Sequence, residues 1–162
     1  PKKSIISIQI PAGVEDGTRL RLTGQGEPGE SGAAPGDLYC DIHVTPHPIF
    51  KRHGNDVLCE VPITFAQAAL GCTIDVPTLT GSVIQVKIPK GTQNNEVVPI
   101  RGEGFPNIHG YGKGNLLVQV IVEVPTKMTS RQEELLREFA ELEKKNVSPR
   151  QKKFFEKMKN IF

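Results

Sequence analysis

The sequence predicts a mostly β protein in which a duplicated sheet unit is followed by a helical tail. Three observations support this prediction: an ungapped repeat at an offset of 78 residues, alternation of apolar and polar residues within each copy, and a change to helical spacing after Pro125. The repeat keeps its glycines and prolines, which fix backbone geometry rather than pack in a core. Both copies are therefore expected to make the same turns.

The repeat relates a first copy, residues 4–44, to a second copy, residues 82–122. It aligns IQIPAG (8–13) with VKIPKG (86–91) and GQGEP (24–28) with GEGFP (102–106). The stretch GQGEPG has the spacing of the dinucleotide-binding fingerprint, but residues 30–36 cannot form the helix whose N-terminus would bind phosphate. The third glycine, Gly29, is Asn107 in the second copy. The loop is therefore interpreted as a repeated structural turn.

Alternation predicts a sheet with one buried face in each copy. In the first copy Ile6, Ile8 and Ile10 alternate with polar residues, and a second strand follows at Leu20 and Leu22. A third strand is expected to turn Leu38, Cys40, Ile42 and Val44 toward the buried side. The second copy predicts the corresponding strands at 83–88, 96–100 and 116–124.

The segment between the copies predicts a hairpin turn around Gly54, a strand at 57–61 and a short helix at 64–70 that stops at Gly71. Only the second copy has such a segment upstream of it within this sequence. We therefore expect the first unit to be truncated at its N-terminus and to have an unpaired sheet edge.

The tail predicts two helices. A capping box of Ser130 and Glu133 opens the first, which spans roughly residues 130–145, and Ser148 followed by Pro149 opens the second. Apolar residues recur at helical spacing in both: Leu135, Leu136, Phe139 and Leu142 in the first, and Phe154, Phe155, Met158, Ile161 and Phe162 in the second. These side chains need a partner, either a second copy of the chain or the back of its own sheet.

Composition and charge exclude several classes of protein. The net charge is +2, and no apolar run approaches the roughly 20 residues of a membrane helix, so neither nucleic acid nor membrane is expected as a partner. Residues 126–162 carry ten basic and six acidic side chains, but no arginine cluster with interleaved aromatics accompanies them. The three cysteines are widely spaced, which argues against a zinc site or disulfides and favours a reducing, intracellular compartment.

The residues offer no catalytic constellation. His43, His47, His53 and His109 are dispersed over strands and turns without clustered partners. Cys40 is interpreted as a small hydrophobe on the buried face. The chain is therefore predicted not to be an enzyme. A carbohydrate- or ligand-binding β module remains an alternative, and a hydrolase is more remote because the repeat offers no acidic pair at equivalent strand positions.

Long ordered strings resemble the C-terminal half of the DnaJ family of J-domain co-chaperones. They include IPAGVEDGTRLRLTGQGEPG, GDLYCDIHVTPHPIFKRHGNDVLCEVPITFAQAALG and IRGEGFPNIHGYGKGNLLVQVIVEVPT, and SPRQKKFF is similar to the end of bacterial, zinc-containing members. The resemblance covers residues 1 to about 145. It implies two tandem β-sandwich-like domains and a dimerisation tail, divided as 1–47 (the C-terminal part of domain I), 48–125 (domain II) and 126–162.

The resemblance also implies a function. It implies a cytoplasmic homodimer that captures apolar segments of unfolded proteins by strand augmentation, prevents aggregation and delivers clients to a DnaK-type chaperone. The expected peptide-binding residues are Ile6, Ile8, Leu38 and Cys40. The expected dimerisation residues are Leu135, Leu136, Phe139, Leu142, Phe154 and Phe155.

The sequence departs from the family pattern in three respects. It contains neither the His-Pro-Asp triplet of a J domain nor the C-x-x-C-x-G-x-G repeats of a zinc region. No cofactor is therefore expected in these residues, and zinc is expected upstream in the parent protein. The opening strands of domain I, which form part of the family's peptide groove, are also not found in the sequence.

Overall fold

The computed structural model describes residues 5–145 and 148–161. The chain divides into two compact units, Pro1–Glu123 and Val124–Phe162. The first unit contains both copies of the repeat, and the second contains the tail. A boundary near residue 47 between two sheet domains stays a prediction.

The first unit is mostly β, as predicted. Its elements in chain order are β1 (Arg19–Leu22), β2 (Leu38–Asp41), β3 (Phe50–His53), β4 (Asp56–Thr64), α1 (Phe65–Leu70), β5 (Cys72–Pro77), β6 (Val83–Ile88), β7 (Val97–Ile100) and β8 (Leu116–Glu123). The strands form the two-stranded sheet β1-β2, a four-stranded sheet in the order β3-β4-β8-β7, which we call the second sheet, and the two-stranded sheet β5-β6. All pairs are antiparallel except β4 and β8, which are parallel.

The core lies around the β4–β8 pair and the β5-β6 sheet. Val57 and Cys59 of β4 and alternate residues of β8 are buried, because alternate side chains of each strand face the same side. The complete set of buried apolar residues in the described chain is Val57, Cys59, Ile63, Ala68, Val76, Val86, Ile88, Leu116, Val118 and Val120. None of them belongs to the first copy.

The strands of the two copies confirm the repeat. Strands β1 and β7 lie 78 residues apart along the chain, as do β2 and the first half of β8. Their registers also correspond, because Leu20 pairs with Cys40 in the first copy and Val98 pairs with Val118 in the second.

The turns are equally well matched. Asp16 Oδ1 accepts the Val44 N–H at 2.8 Å, and in the second copy Asn94 Oδ1 accepts the Val122 N–H at 2.9 Å. The glycine loops close with equivalent backbone hydrogen bonds, Gly26 N–H to Gly36 O at 2.7 Å and Gly104 N–H to Gly114 O at 2.9 Å. The interpretation of the glycine loop as a repeated structural turn is therefore confirmed.

The strand predicted at residues 6–10 is not present. Ile8 and Ile10 are exposed, and only Ile6 is half-buried. In the second copy the equivalent strand, β6, is held by antiparallel pairing with β5. Among the described residues no strand takes the place of β5 beside residues 6–10, so their alternation does not produce a paired strand. The alternating pattern alone therefore predicted a strand that the structure does not contain.

The secondary structure of the segment between the copies agrees closely with the prediction. A hairpin turn around Gly54 joins β3 to β4, and α1 begins after a capping box of Thr64 and Gln67. Gly71 follows the helix with a φ of +79°, a conformation that glycine adopts without strain. Strand β5 was not predicted, although Cys72, Ile74 and Val76 alternate with Thr73 and Asp75, because it follows the helix directly.

The second unit contains α2 (Ser130–Glu143) and α3 (Pro149–Lys159). The predicted capping box of Ser130 and Glu133 is wrong by one residue. Thr129 is the N-cap and pairs reciprocally with Gln132, because the threonine hydroxyl has the same capping chemistry and precedes the first helical residue. Pro149 begins α3 as predicted, although the Ser148 side chain makes no capping hydrogen bond. Phe162 lies outside the described residues.

The glycine loops allow a matched test of the second sheet. The Asn55 carbonyl oxygen lies where a Cβ on Gly114 would be placed, whereas the nearest atom to a Cβ on the equivalent Gly36 is 3.9 Å away. Neither glycine has a positive φ. We therefore expect Gly114→Ala to lower the free energy of unfolding by about 1–3 kcal/mol, and Gly36→Ala to change it by less than about 0.5 kcal/mol, in urea titrations. Equal effects would contradict the close packing of the hairpin turn against the second loop.

Candidate peptide-binding face and self-association helices

The β1–β2 ribbon brings four apolar side chains onto one face. Leu22 lies opposite Leu38, and Leu20 lies opposite Cys40. Directly opposed residues of an antiparallel pair share a face, so these four side chains form one patch. All four are half-buried, whereas Leu116 and Val118, the equivalents of Leu38 and Cys40, are fully buried. The expectation that Cys40 lies on a buried face is therefore wrong, because its side chain is only half-buried and it is not among the buried core residues.

The outer edge of β2 is open. The Ile42 N–H donates to Thr18 O at 2.8 Å, so the backbone groups of Ile42 point toward β1. Because these groups alternate in direction along a strand, those of Tyr39 and Asp41 point to the opposite side. On the equivalent side of β8, β4 pairs in parallel. No strand among the described residues pairs with this side of β2.

A cleft beside the ribbon includes one further predicted residue. Ile6 lines it together with Leu22, Arg21, Thr23 and Gln25, and its volume is about 450 Å³. Ile5 and Ser7 complete the lining.

The four predicted peptide-binding residues thus lie in three different environments. Leu38 and Cys40 share the apolar face, Ile6 lines the cleft next to Leu22, and Ile8 is exposed and outside the cleft. Sequence reasoning did not name Leu20 and Leu22 as site residues. Their alternation is visible in the sequence, but only the observed pairing of β1 with β2 shows that they share a face with Leu38 and Cys40.

The other face of the ribbon carries two ion pairs. Arg19 Nε lies 2.6 Å from Asp41 Oδ1, and an Arg21 guanidinium nitrogen lies 2.6 Å from Asp37 Oδ2. The Gly24 N–H, and next the Arg21 guanidinium, hold the pKa of Asp37 below its usual value. The hydrogen bond from Arg19 likewise lowers the pKa of Asp41. The ribbon therefore has one charged face and one apolar face.

The remaining candidate groups are scattered. His43 Nδ1 is 3.7 Å from Asp16 Oδ1, and His47 Nδ1 accepts the N–H groups of Ile49 and Phe50. Burial raises the pKa of the Cys59 thiol, as expected for a core cysteine. Within residues 5–145 and 148–161, no group of three or more His, Cys, Asp or Glu side chains is placed to hold a metal ion.

The two tail helices present the same apolar pattern. The apolar residues of α2 recur at positions i, i+1, i+4 and i+7, and those of α3 and the turn after it repeat this spacing. All of them are exposed: Leu135, Leu136, Phe139, Leu142, Phe154, Phe155, Met158 and Ile161. In the part of the chain that the structure describes, no helix is both long and apolar enough to cross a membrane.

The charges of the helices are of opposite sign. Helix α2 has five glutamates against two arginines, and α3 has five lysines or arginines against a single glutamate. Each helix therefore combines an exposed apolar stripe with a different net charge.

These features define a class of protein: a duplicated β module with an open strand edge, followed by two amphipathic helices. Comparison with known proteins identifies the family. Residues 1–125 match the DnaJ C terminal domain, and residues 131–162 match the chaperone protein DnaJ C-terminal region. This chain belongs to the DnaJ C-terminal domain family.

Bacterial relatives are similar over almost the whole chain. Chaperone protein DnaJ of Protochlamydia amoebophila is 52% identical over 161 residues, which are 99% of this chain and 42% of that protein. The protein of the same name from Syntrophotalea carbinolica is 52% identical over 160 residues, or 99% of this chain and 43% of that protein. That of Parageobacillus thermoglucosidasius is 50% identical over 162 residues, again 99% and 42%. The chain thus spans less than half the length of these curated relatives.

The ion pairs of the ribbon predict its behaviour in acid. Because the folded-state pKa values of Asp37 and Asp41 are lowered, the pairs stabilise the ribbon above the unfolded aspartate pKa of about 3.9. This stabilisation is lost as the pH falls through the folded-state values. We expect the hydrogen-exchange protection factors of the β1 and β2 amides to decrease when the pH is lowered below about 4. The Asp37→Asn/Asp41→Asn variant should lose this pH dependence. An unchanged pH profile in the variant would assign the acid effect to other groups.

Proposed function

We propose that this chain is the client-binding and dimerising part of a DnaJ-type co-chaperone. It binds extended apolar segments of unfolded proteins, limits their aggregation and acts with a DnaK-type chaperone in the cytoplasm. The names of its relatives support the chaperone role. These residues bind clients without catalysis and without a cofactor, and zinc is bound by an upstream region of the parent protein.

The open edge of β2 is the observation on which client binding rests. An extended peptide placed there would hydrogen-bond to the N–H and C=O groups of Tyr39 and Asp41, which point away from β1. Main-chain hydrogen bonds do not depend on sequence, so this mode suits partners of many sequences. The same edge is a liability in a protein without such a partner, because unpaired strands promote aggregation.

The apolar face supplies the preference for unfolded chains. Leu20, Leu22, Leu38 and Cys40 are half-buried, and alternate side chains of an added strand would extend the layer that they form. Burying an exposed apolar side chain contributes about 1.5–3 kcal/mol. Folded proteins already bury such side chains, so their binding to this surface is less favourable.

The tail helices support a homodimer. Their apolar residues are exposed and repeat the same spacing, so two copies of the chain offer four equivalent stripes. The acidic α2 of one copy and the basic α3 of another are complementary in charge. A dimer would hold two β2 edges on one client, which raises the effective affinity without new contacts.

A substitution on the apolar face tests the client site. We expect Leu38→Ser to weaken binding of a fluorescent extended apolar peptide about tenfold, which corresponds to ~1.4 kcal/mol. Leu70→Ser is the matched control, because it makes the same change at an exposed leucine of α1, outside the ribbon. Fluorescence anisotropy measures both affinities.

The backbone contribution is tested separately with the same peptide N-methylated on its odd-numbered amides or on its even-numbered amides. Each modification removes N–H donors and keeps every side chain, and only one of the two sets faces β2 in an added strand, so strand addition predicts a loss of binding for that set. The wild-type chain should also slow aggregation of a denatured client without ATP, and Leu38→Ser should slow it less. Equal affinity for the methylated and unmodified peptides would refute strand addition.

Self-association is tested on α2. Leu135→Asp together with Phe139→Asp places charge on the apolar stripe, and we expect sedimentation to shift from dimer to monomer. Arg137→Asp is the control, because Arg137 lies on the opposite side of the helix and is 3.2 Å from Glu133. A double variant that sediments like the wild-type chain would exclude α2 as the interface.

A further inference from the structure

Arg52 connects the β3–β4 hairpin to the first copy of the repeat. Its Nη1 donates to the Val14 carbonyl and its Nη2 to the Gly13 carbonyl, both at 2.7 Å. Its Nε donates to the Gly54 carbonyl of its own hairpin at 2.8 Å. One guanidinium group therefore bridges a turn of the first copy and a turn that belongs to the second sheet.

Two further contacts hold this side chain. The guanidinium carbon lies 4.3 Å from the centre of the Phe105 ring, and Nη2 lies 3.6 Å from Glu15 Oε1. Phe105 is in the glycine loop of the second copy, and its N–H donates to Asn55 O at 2.8 Å. The Arg52 side chain is only 22% exposed, so these contacts are partly shielded from water.

The backbones also approach closely beside Arg52. A Cβ on Gly13 would overlap the carbonyl oxygen of Pro106, which belongs to the second glycine loop. Gly13 and its repeat equivalent Gly91 share a left-handed φ, +83° and +79°, but a Cβ on Gly91 would meet no atom within 4 Å. The glycine at position 13 is thus required by the contact as well as by the turn.

We propose that Arg52 is a positioning residue that fixes the orientation of the first copy, and with it the β1–β2 ribbon, relative to the second sheet. Arginine suits this role because its planar fork donates in several directions at once and stacks on an aromatic ring. Lysine keeps the charge but has neither the fork nor the planar face. This role of Arg52 is geometric and does not depend on whether the ribbon binds clients.

Residual dipolar couplings of the full chain test the proposal. In the wild-type protein, amides of the first copy and of the second sheet should fit one common alignment tensor. We expect Arg52→Lys to abolish the common fit and to reduce the alignment of the first copy, while the amide shifts of Val86 and Val118 in the core stay unchanged. Arg21→Lys is the control, because Arg21 pairs with Asp37 within the first copy.

A second pair of variants probes the same contact from the other side. Gly13→Ala and Gly17→Ala impose similar backbone strain, since their φ angles are +83° and +78°, but only a Cβ on Gly13 meets Pro106. We expect Gly13→Ala to separate the alignment tensors and Gly17→Ala to leave them common. If Arg52→Lys keeps one common tensor of wild-type magnitude, the proposal is wrong, whatever the effect on peptide binding or melting temperature.

Discussion

The parallel pairing of β4 with β8 is the constraint on which the first unit depends. It lies at the centre of the four-stranded sheet and brings together Val57, Cys59, Leu116 and Val118, all of which are fully buried or nearly so. Parallel strands need a covered face, and here α1 and the β5-β6 sheet contribute buried residues to the same core. The hydrophobic stabilisation of the unit is therefore concentrated around the second copy.

The first copy shows what the same local structure does without that pairing. Its strands, register and loop hydrogen bonds match those of the second copy, yet its apolar face is only half-buried. Turn chemistry and cross-strand pairs are thus sufficient to define the ribbon, whereas burial needs an additional strand and layer. An open edge next to an apolar face is the arrangement that an extended, unfolded partner can complete.

Contacts between turns determine how the first copy is positioned within the first unit. Arg52 supplies directional hydrogen bonds, and Gly13 permits a backbone approach that any side chain would prevent. Such contacts bury little apolar area, so they contribute more to orientation than to stability. In the tail, by contrast, the exposed stripes of α2 and α3 are apolar, and the two helices differ in the sign of their net charge.

The sequence by itself determined the repeat, the turns, the class of fold and most strand positions, because glycine, proline and alternation act over a few residues. It misplaced the α2 cap by one residue, since Thr129 and Ser130 have the same capping chemistry. The tertiary structure decided that residues 6–10 form no strand, that Cys40 is half-exposed and that Leu20 and Leu22 complete the apolar face. Those outcomes depend on which strand lies alongside, and pairing between distant segments leaves no local signal in the residues themselves.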